Sequence, residues 1–222
     1  AEAWDPSGSK LVVDSFGVTT LPGAAVGKRR FSVHGNVVGT VRSGGSFSPE
    51  RGRYEATIEL DQVDGQWRIS SLPAGVVIER TELRNQYQPY NLYFFDAEDR
   101  ELVTDRRWVR TQRETLAGDL IGLLMEGPAE RLRPALPDAL PSAVTFTGVK
   151  DGAFTFTGFG SVSAEDRAQF AAQVVWTLAT AGITGPYRLV ADGNPLIEGT
   201  DELDTDDFVD ESPLVEKIGR AS

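Results

Sequence analysis

Few side chains in this sequence could do chemistry, and they are poorly spaced for it. His34 is the only histidine and cysteine is absent. A His-based triad, a His-rich metal site, a histidine proton shuttle, a thiolate zinc site and a thiol nucleophile therefore each rest on one residue or none. His34 falls in a stretch that reads as a β-strand, and the expectation is an ordinary strand residue, packed or solvated. The acidic run Asp201-Glu202-Leu203-Asp204-Thr205-Asp206-Asp207 invites a calcium reading. An EF-hand loop needs ligands at alternating positions with glycine at the sixth. Neither this run nor Asp192-Gly193-Asn194 keeps that register, so a solvated charge block is expected. Paired carboxylates for glycoside or acid–base work leave no mark in a single sequence, because their spacing is spatial, and that possibility stays open.

Motif searches return nothing: there is no phosphate-cradling G-x-x-x-x-G-K-S/T, no dinucleotide G-x-G-x-x-G and no G-x-S-x-G elbow. Gly158-Phe159-Gly160-Ser161 reads as a turn into a helix. Arg106, Arg107, Arg110 and Arg113 cluster ahead of a helix, where they form either a positive surface for an acidic partner or a solvated face ill-suited to that helix end. Trp67, Trp108 and Trp176 fall in patterned elements and are expected in the core, whereas Trp4 is the least constrained. No catalytic, cofactor-binding or metal-ligating residue is assigned, no cofactor is expected, and binding residues stay unassigned.

Composition sets wider bounds. The 222 residues are 40% hydrophobic and 25% charged, which suits a folded chain of one or two domains. The formal charge of −11 is uneven, since residues 197–222 hold nine acids against Lys217 and Arg220. That tail carries −7 and leaves −4 for the rest, with no basic footprint for nucleic acid. The longest mostly apolar stretch, 171–183, is too short and too polar to span a bilayer. The opening Ala1-Glu2-Ala3-Trp4-Asp5-Pro6 reads as the end of a helix, and the chain is expected to be cut from something longer.

The elements that would position any site fall into two sets. Residues 10–80 read as β structure: Tyr54-Glu55-Ala56-Thr57-Ile58-Glu59-Leu60 alternates strictly, Asp64-Gly65 supplies a two-residue turn, and Trp67-Arg68-Ile69 returns. Upstream, residues 31–42 form another long strand in which Gly35 and Gly39 predict a bulge or bend. Three successive antiparallel strands and a curved sheet follow. The boundary is placed near 86–88. Beyond it, Asn91-Leu92-Tyr93-Phe94-Phe95-Asp96 and Glu101-Leu102-Val103 form a strand pair. Thr111 and Glu114 have capping-box spacing ahead of Leu116, Leu120, Ile121, Leu123 and Leu124, and Gly127-Pro128 stops that helix ahead of a shorter one over 129–133. Residues 144–158 form a hairpin about Asp151-Gly152. Ser163 and Asp166 cap a helix carrying Phe170, Val174 and Leu178 that ends at Gly182, and Tyr187-Arg188-Leu189-Val190 is the last strand. The second unit is thus α+β, with helices covering one face of a mixed sheet.

These residues carry a resemblance. Asn91 to Asp96, then Leu102-Val103-Thr104-Asp105-Arg106-Arg107-Trp108-Val109, then Leu120-Ile121-Gly122-Leu123-Leu124-Met125-Glu126-Gly127-Pro128, resemble the GerMN domain of the actinobacterial LpqB lipoprotein family. Gln173-Val174-Val175-Trp176-Thr177-Leu178 and Ala191-Asp192-Gly193-Asn194-Pro195 fit that domain's closing helix and strand. Gly65-Gln66-Trp67-Arg68-Ile69 and Leu72-Pro73-Ala74-Gly75 are similar to the family's N-terminal region, which resembles the nuclear-transport-factor cone fold. The resemblance covers residues 1 to about 200. It implies a truncated cone-like curved antiparallel sheet over 1–86, a GerMN domain over 87–197, and an acidic linker over 198–222 toward a missing propeller domain.

The resemblance further implies a non-enzymatic cell-envelope lipoprotein, anchored at the extracytoplasmic side of the cell membrane by a lipidated cysteine that this chain lacks. Its partners would be the extracytoplasmic part of an MtrB-like sensor histidine kinase, in a two-component system affecting cell-wall and division physiology, and its own C-terminal propeller. The cone fold raises an alternative, since such folds host small-ligand binding or isomerase chemistry with a carboxylate base in an apolar pocket. Glu55 and Glu59, the strand acids available, alternate with Tyr54, Ile58 and Leu60 and should face solvent.

Overall fold

A computed structural model describes residues 8–98, 101–110, 112–136 and 140–211. Trp4, the expected helix end over residues 1–6, Thr111 and the tail from 212 onward lie outside these residues. The chain divides into two compact units, Ala1–Gln88 and Pro89–Ser222.

The first unit is a curled five-stranded sheet built from β1 (Lys10–Leu21), β2 (Lys28–Val41), β3 (Phe47–Val63), β4 (Gln66–Ser71) and β5 (Val76–Glu79), ordered β4-β3-β2-β1-β5. Neighbours are antiparallel except β1 and β5, which pair in parallel from Lys10–Val76 to Val13–Glu79. The hairpin turn between β3 and β4 is Asp64-Gly65, with φ of 51° and 77°, the left-handed pair that matches strand twist. The pairing shifts register between Val37 and Gly39 on β2, and between Asp14 and Gly17 on β1. The β2 bulge falls where Gly39 predicted one, and the β1 bulge is a second irregularity that the glycine spacing of β2 did not predict. Helix α1 (Arg80–Gln86) follows β5 and buries Leu83. Neither β5 nor α1 was expected as a separate element, because both fall in a stretch without sustained periodicity.

The second unit is α+β. Strands β6 (Tyr87–Phe95), which begins at the boundary, and β7 (Leu102–Arg110) pair with each other, while β8 (Thr145–Lys150), β9 (Ala153–Thr157), β10 (Arg188–Ala191) and β11 (Asn194–Pro195) form a sheet ordered β11-β10-β9-β8. That sheet is mixed, since β9 and β10 run parallel and the other neighbours antiparallel. Among the described residues the unit's helices are α2 (Leu116–Met125) and α3 (Ala164–Thr180). They meet the sheet at the facing rings Phe146 and Phe156: a Cβ on Gly118 of α2 would lie 4.0 Å from Phe146, and Phe170 of α3 meets Phe156 edge-on with ring centroids 5.3 Å apart. Among the described residues no helix is long and apolar enough to cross a membrane.

Helix ends follow local chemistry. The Ser163 hydroxyl accepts from the Asp166 N–H at 3.0 Å, as its spacing predicted, and Gly182 adopts φ 76° just past α3. Helix α2 starts later than the expected capping box: its N-cap is Thr115, whose hydroxyl donates to the Asp119 carboxylate at 2.9 Å. Leu116, Leu120, Ile121 and Leu124 are buried as the stripe required, and Gly127 stops the helix with φ 80°. The segment 129–133 forms successive turns through Leu132 N to Ala129 O and Arg133 N to Ala129 O rather than a second helix. Pro134 lacks the N–H with which a continuing helix would bond the Glu130 carbonyl.

Candidate functional site

Register sorts the first unit's side chains onto two faces. On one, Lys28 faces Asp61, Arg30 faces Glu59, Ser32 faces Thr57 and His34 faces Glu55 across the β2–β3 pair. On the other, Arg29 faces Leu60, Phe31 faces Ile58, Val33 faces Ala56 and Gly35 faces Tyr54. Val18 and Thr20 of β1, opposite Val33 and Phe31, and Ile69 of β4, opposite Leu60, extend this second, apolar face.

The acids that a cone-fold base would require are on the wet face. Glu59 pairs with Arg30 at 3.3 Å and Asp61 with Lys28 at 3.3 Å, both partly exposed, and Glu55 is exposed. They stand where strand alternation predicted, away from the apolar side. His34, Asn36, Arg53, Tyr54, Glu55 and Ser15 line a shallow hollow of about 320 Å³ beside the β1 bulge. A Cβ on Gly17 would lie 2.5 Å from the His34 Nε2, so the imidazole lies along the β1 backbone. Burial raises the Tyr54 phenol above its usual range. Among the described residues, no three His, Asp or Glu side chains converge as a metal site would need.

The apolar face is wet at its margins. Val18 is 60% exposed and Ile69 57%, and every residue of β4 is solvent-accessible. Trp67, expected in the core, is instead 37% exposed. It sits on the edge strand, where the Arg29 guanidinium lies 4.3 Å from its ring centroid, a stacked cation–π contact that an alternating pattern cannot distinguish from burial. Trp176 is buried and Trp108 half-buried.

In the second unit the arginine cluster separates. Arg106, Arg110 and Arg113 are exposed, whereas Arg107 is buried against Asp105, two residues earlier on the same side of β7. Asp105 Oδ2 accepts from Arg107 Nε at 2.9 Å and Nη2 at 2.7 Å, and from the Ala129 N–H at 2.8 Å. Arg107 Nη2 also donates to the Gly127 carbonyl at 3.0 Å. Asp105 Oδ1 is buried with no partner. This pair fastens the Gly127-Pro128 turn to β7. Spacing of two on a strand was the available signal, since residues i and i+2 share a face, but four successive polar residues hid which face was inward.

Asp192, weighed as a calcium ligand, caps backbone instead: its two oxygens accept from the N–H groups of Gly158 and Phe159 at 2.9 Å each. The acidic run departs furthest from expectation. Residues 198–211 are not a free linker, because Leu203 and Phe208 are buried in the second unit's core. Leu203 bridges Tyr187, and the Trp176 indole N–H donates to the Phe208 carbonyl at 3.1 Å. Asp204 and Asp207 form a capping box around the short 3-10 turn Thr205–Phe208, so two of the acids serve backbone donors.

Residues 1–84 match the family described as the lipoprotein LpqB N-terminal domain, and residues 91–197 match the Germane family, described as sporulation and spore germination. A lipoprotein LpqB of Corynebacterium diphtheriae is 37% identical over 221 residues, which is 96% of this chain and 38% of that protein. That of Corynebacterium jeikeium is 40% identical over 199 residues, 88% of this chain and 34% of the relative. That of Mycolicibacterium smegmatis is 31% identical over 214 residues, covering 88% and 36%. No solved structure matches the chain. The chain therefore spans little more than a third of the curated relatives it matches. With an LpqB N-terminal domain followed by a Germane domain, it belongs to the LpqB lipoprotein family.

Proposed function

We propose that this chain is the non-catalytic part of a lipid-anchored protein on the extracytoplasmic side of the cell membrane. There it binds the extracytoplasmic part of an MtrB-like sensor kinase and modulates its two-component system, with effects on cell-wall and division physiology. In the longer protein a propeller domain would be its second partner. The observation that carries a protein-binding reading is the distribution of exposed apolar side chains. Of nine large exposed hydrophobics among the described residues, seven lie in the first unit, including Phe16, Val18, Trp67 and Ile69. A partly wet apolar sheet face with Glu55, Glu59 and Asp61 on the opposite side suits contact with a protein better than proton transfer, which needs a carboxylate within reach of an apolar pocket.

The test is binding of this chain to the purified kinase ectodomain by calorimetry, with and without the propeller domain. Saturable binding by the chain alone, weakened at least tenfold by Trp67→Ser with Ile69→Ser, is the expected result. Binding by the propeller alone would assign the function to the other part of the protein.

A further inference from the structure

Beyond the kinase reading and independent of it, the second unit carries a cleft of about 450 Å³ between the C-terminal end of α2 and α3. Phe94, Leu124, Leu140, Val144 and Phe170 give it an apolar wall, and the exposed Glu126 and Ser142 lie at its polar side. One buried polar side chain shares that lining. Gln173 is 4% exposed, and among the described residues its side-chain amide has no hydrogen-bond partner. Yet it is not sealed in, since Asp105 Oδ1 is the only buried, unpartnered side-chain N or O atom among the described residues. The Gln173 amide therefore opens to the cleft. A primary amide held beside that apolar wall offers one donor edge and one acceptor, a fixed polar group in a cleft of ligand-binding size.

We infer that this cleft binds a segment of another polypeptide, seating one apolar side chain while the Gln173 amide pairs with a peptide bond beside it. Three observations choose that class. A peptide bond presents an N–H and a C=O at the spacing an amide presents its own, whereas a hydrocarbon chain would strip water from Gln173 and return nothing. An anion is disfavoured, because the exposed Glu126 and the carbonyl end of α2 are both at the cleft, and the dipole there is negative. The second unit also holds 23 acids against 12 bases, the whole of the chain's −11, so a basic flanking residue suits the segment better than an acidic one. The wall is preorganised: Gly127 and Pro128 line the cleft, and the buried Asp105–Arg107 pair holds the Gly127 carbonyl and the Ala129 N–H behind them. Little ordering cost is then left for binding.

The probes are the capped peptides acetyl-Ala-Leu-Lys-amide and acetyl-Ala-Leu-Glu-amide, with isoamyl alcohol as the apolar side chain alone, titrated into isotope-labelled full chain by NMR. The expected result is saturable shifts at the Gln173 side-chain amide, Leu124 and Val144, tighter binding of the Lys peptide, and at least tenfold weakening in Gln173→Met. Contacts between the leucine methyls and Val144, seen as intermolecular NOEs, test the pose in the unaltered protein even should that variant misfold. Absence of saturable shifts in that lining, equal affinity of Gln173→Met and the unaltered chain, or isoamyl alcohol binding as tightly as the peptides would each overturn the proposal.

Discussion

Replacing Arg107 by methionine tests whether the second unit depends on its buried ion pair. Arg107 is 3% exposed and Asp105 is fully buried. The change removes two donors from Asp105 Oδ2, at 2.9 and 2.7 Å, and one from the Gly127 carbonyl at 3.0 Å. The carboxylate keeps one bond, from the Ala129 N–H, and Oδ1 gains nothing. Breaking a buried pair on one side leaves an uncompensated charge, at a cost of about 3–5 kcal/mol. Substituting both partners, Asp105→Leu with Arg107→Met, removes the charge problem altogether. Of the bonds just named, those left unpaired are neutral backbone at Gly127 and Ala129, worth about 1 kcal/mol each, so on these the double variant should lose about 2 kcal/mol, less than the single one.

The assay has to report on one unit, because a chain of two compact units need not unfold in one step. Native-state hydrogen exchange at Leu189 and Val190, central in the mixed sheet, reads the opening of the second unit directly. Exchange there should quicken by roughly two to four decades in the single variant, about 3–5 kcal/mol at tenfold per 1.4 kcal/mol, and by less in the double one. A double variant as unstable as the sum of its singles would refute the reasoning, since the two side chains would then act independently.

Three further outcomes follow from the same geometry. Phe208→Ala should cost the second unit about 3–5 kcal/mol and red-shift Trp176 emission, because Phe208 is a core residue whose carbonyl holds the indole N–H; an unchanged unfolding midpoint would return residues 198–211 to the status of a linker. Asp192→Asn, which keeps a residue tolerant of φ 51° but leaves one acceptor oxygen for two N–H groups, should cost about 1 kcal/mol, measured by urea unfolding. Tyr187 is raised above 10.0, by burial first and by the Asp204 charge second. The folded state thus prefers the neutral phenol, and the stability this provides is present below the unfolded value of 10.0 and lost as pH rises through the raised one. In Tyr187→Phe the alkaline loss of stability should shrink, alongside a pH-independent cost of about 0.5–1.5 kcal/mol for the bond to the Ile183 carbonyl; an identical alkaline limb would refute it.

Where sequence and structure agree, the governing signal was local. The Asp-Gly pairs at 64–65 and 151–152 turn hairpins because both residues take positive φ, and alternation through Tyr54 to Leu60 assigned the wet and apolar faces of β3 without knowledge of its neighbours. Disagreements arise where a non-local partner decides. Trp67 and Trp176 both fall in patterned elements, yet one stacks under Arg29 on an edge strand and the other is covered by residues 32 positions later. The acidic stretch hid its role for a related reason. Its charge density reads as solvated, while the two apolar residues that decide its fate, Leu203 and Phe208, are five apart and match neither a strand nor a helix period.

The turn Gly127-Pro128 connects these levels. As a sequence feature it stops a helix, because glycine accepts φ 80° and proline cannot extend the ladder. In the fold it does more: its carbonyl and the following N–H are the two backbone groups that the Asp105–Arg107 pair engages, and the same two residues line the cleft beside Gln173. The strand β7, the end of α2 and a wall of the cleft are thus one hydrogen-bonded assembly. A substitution on β7 should therefore reach the cleft by moving that wall, with no contact of its own to anything bound there.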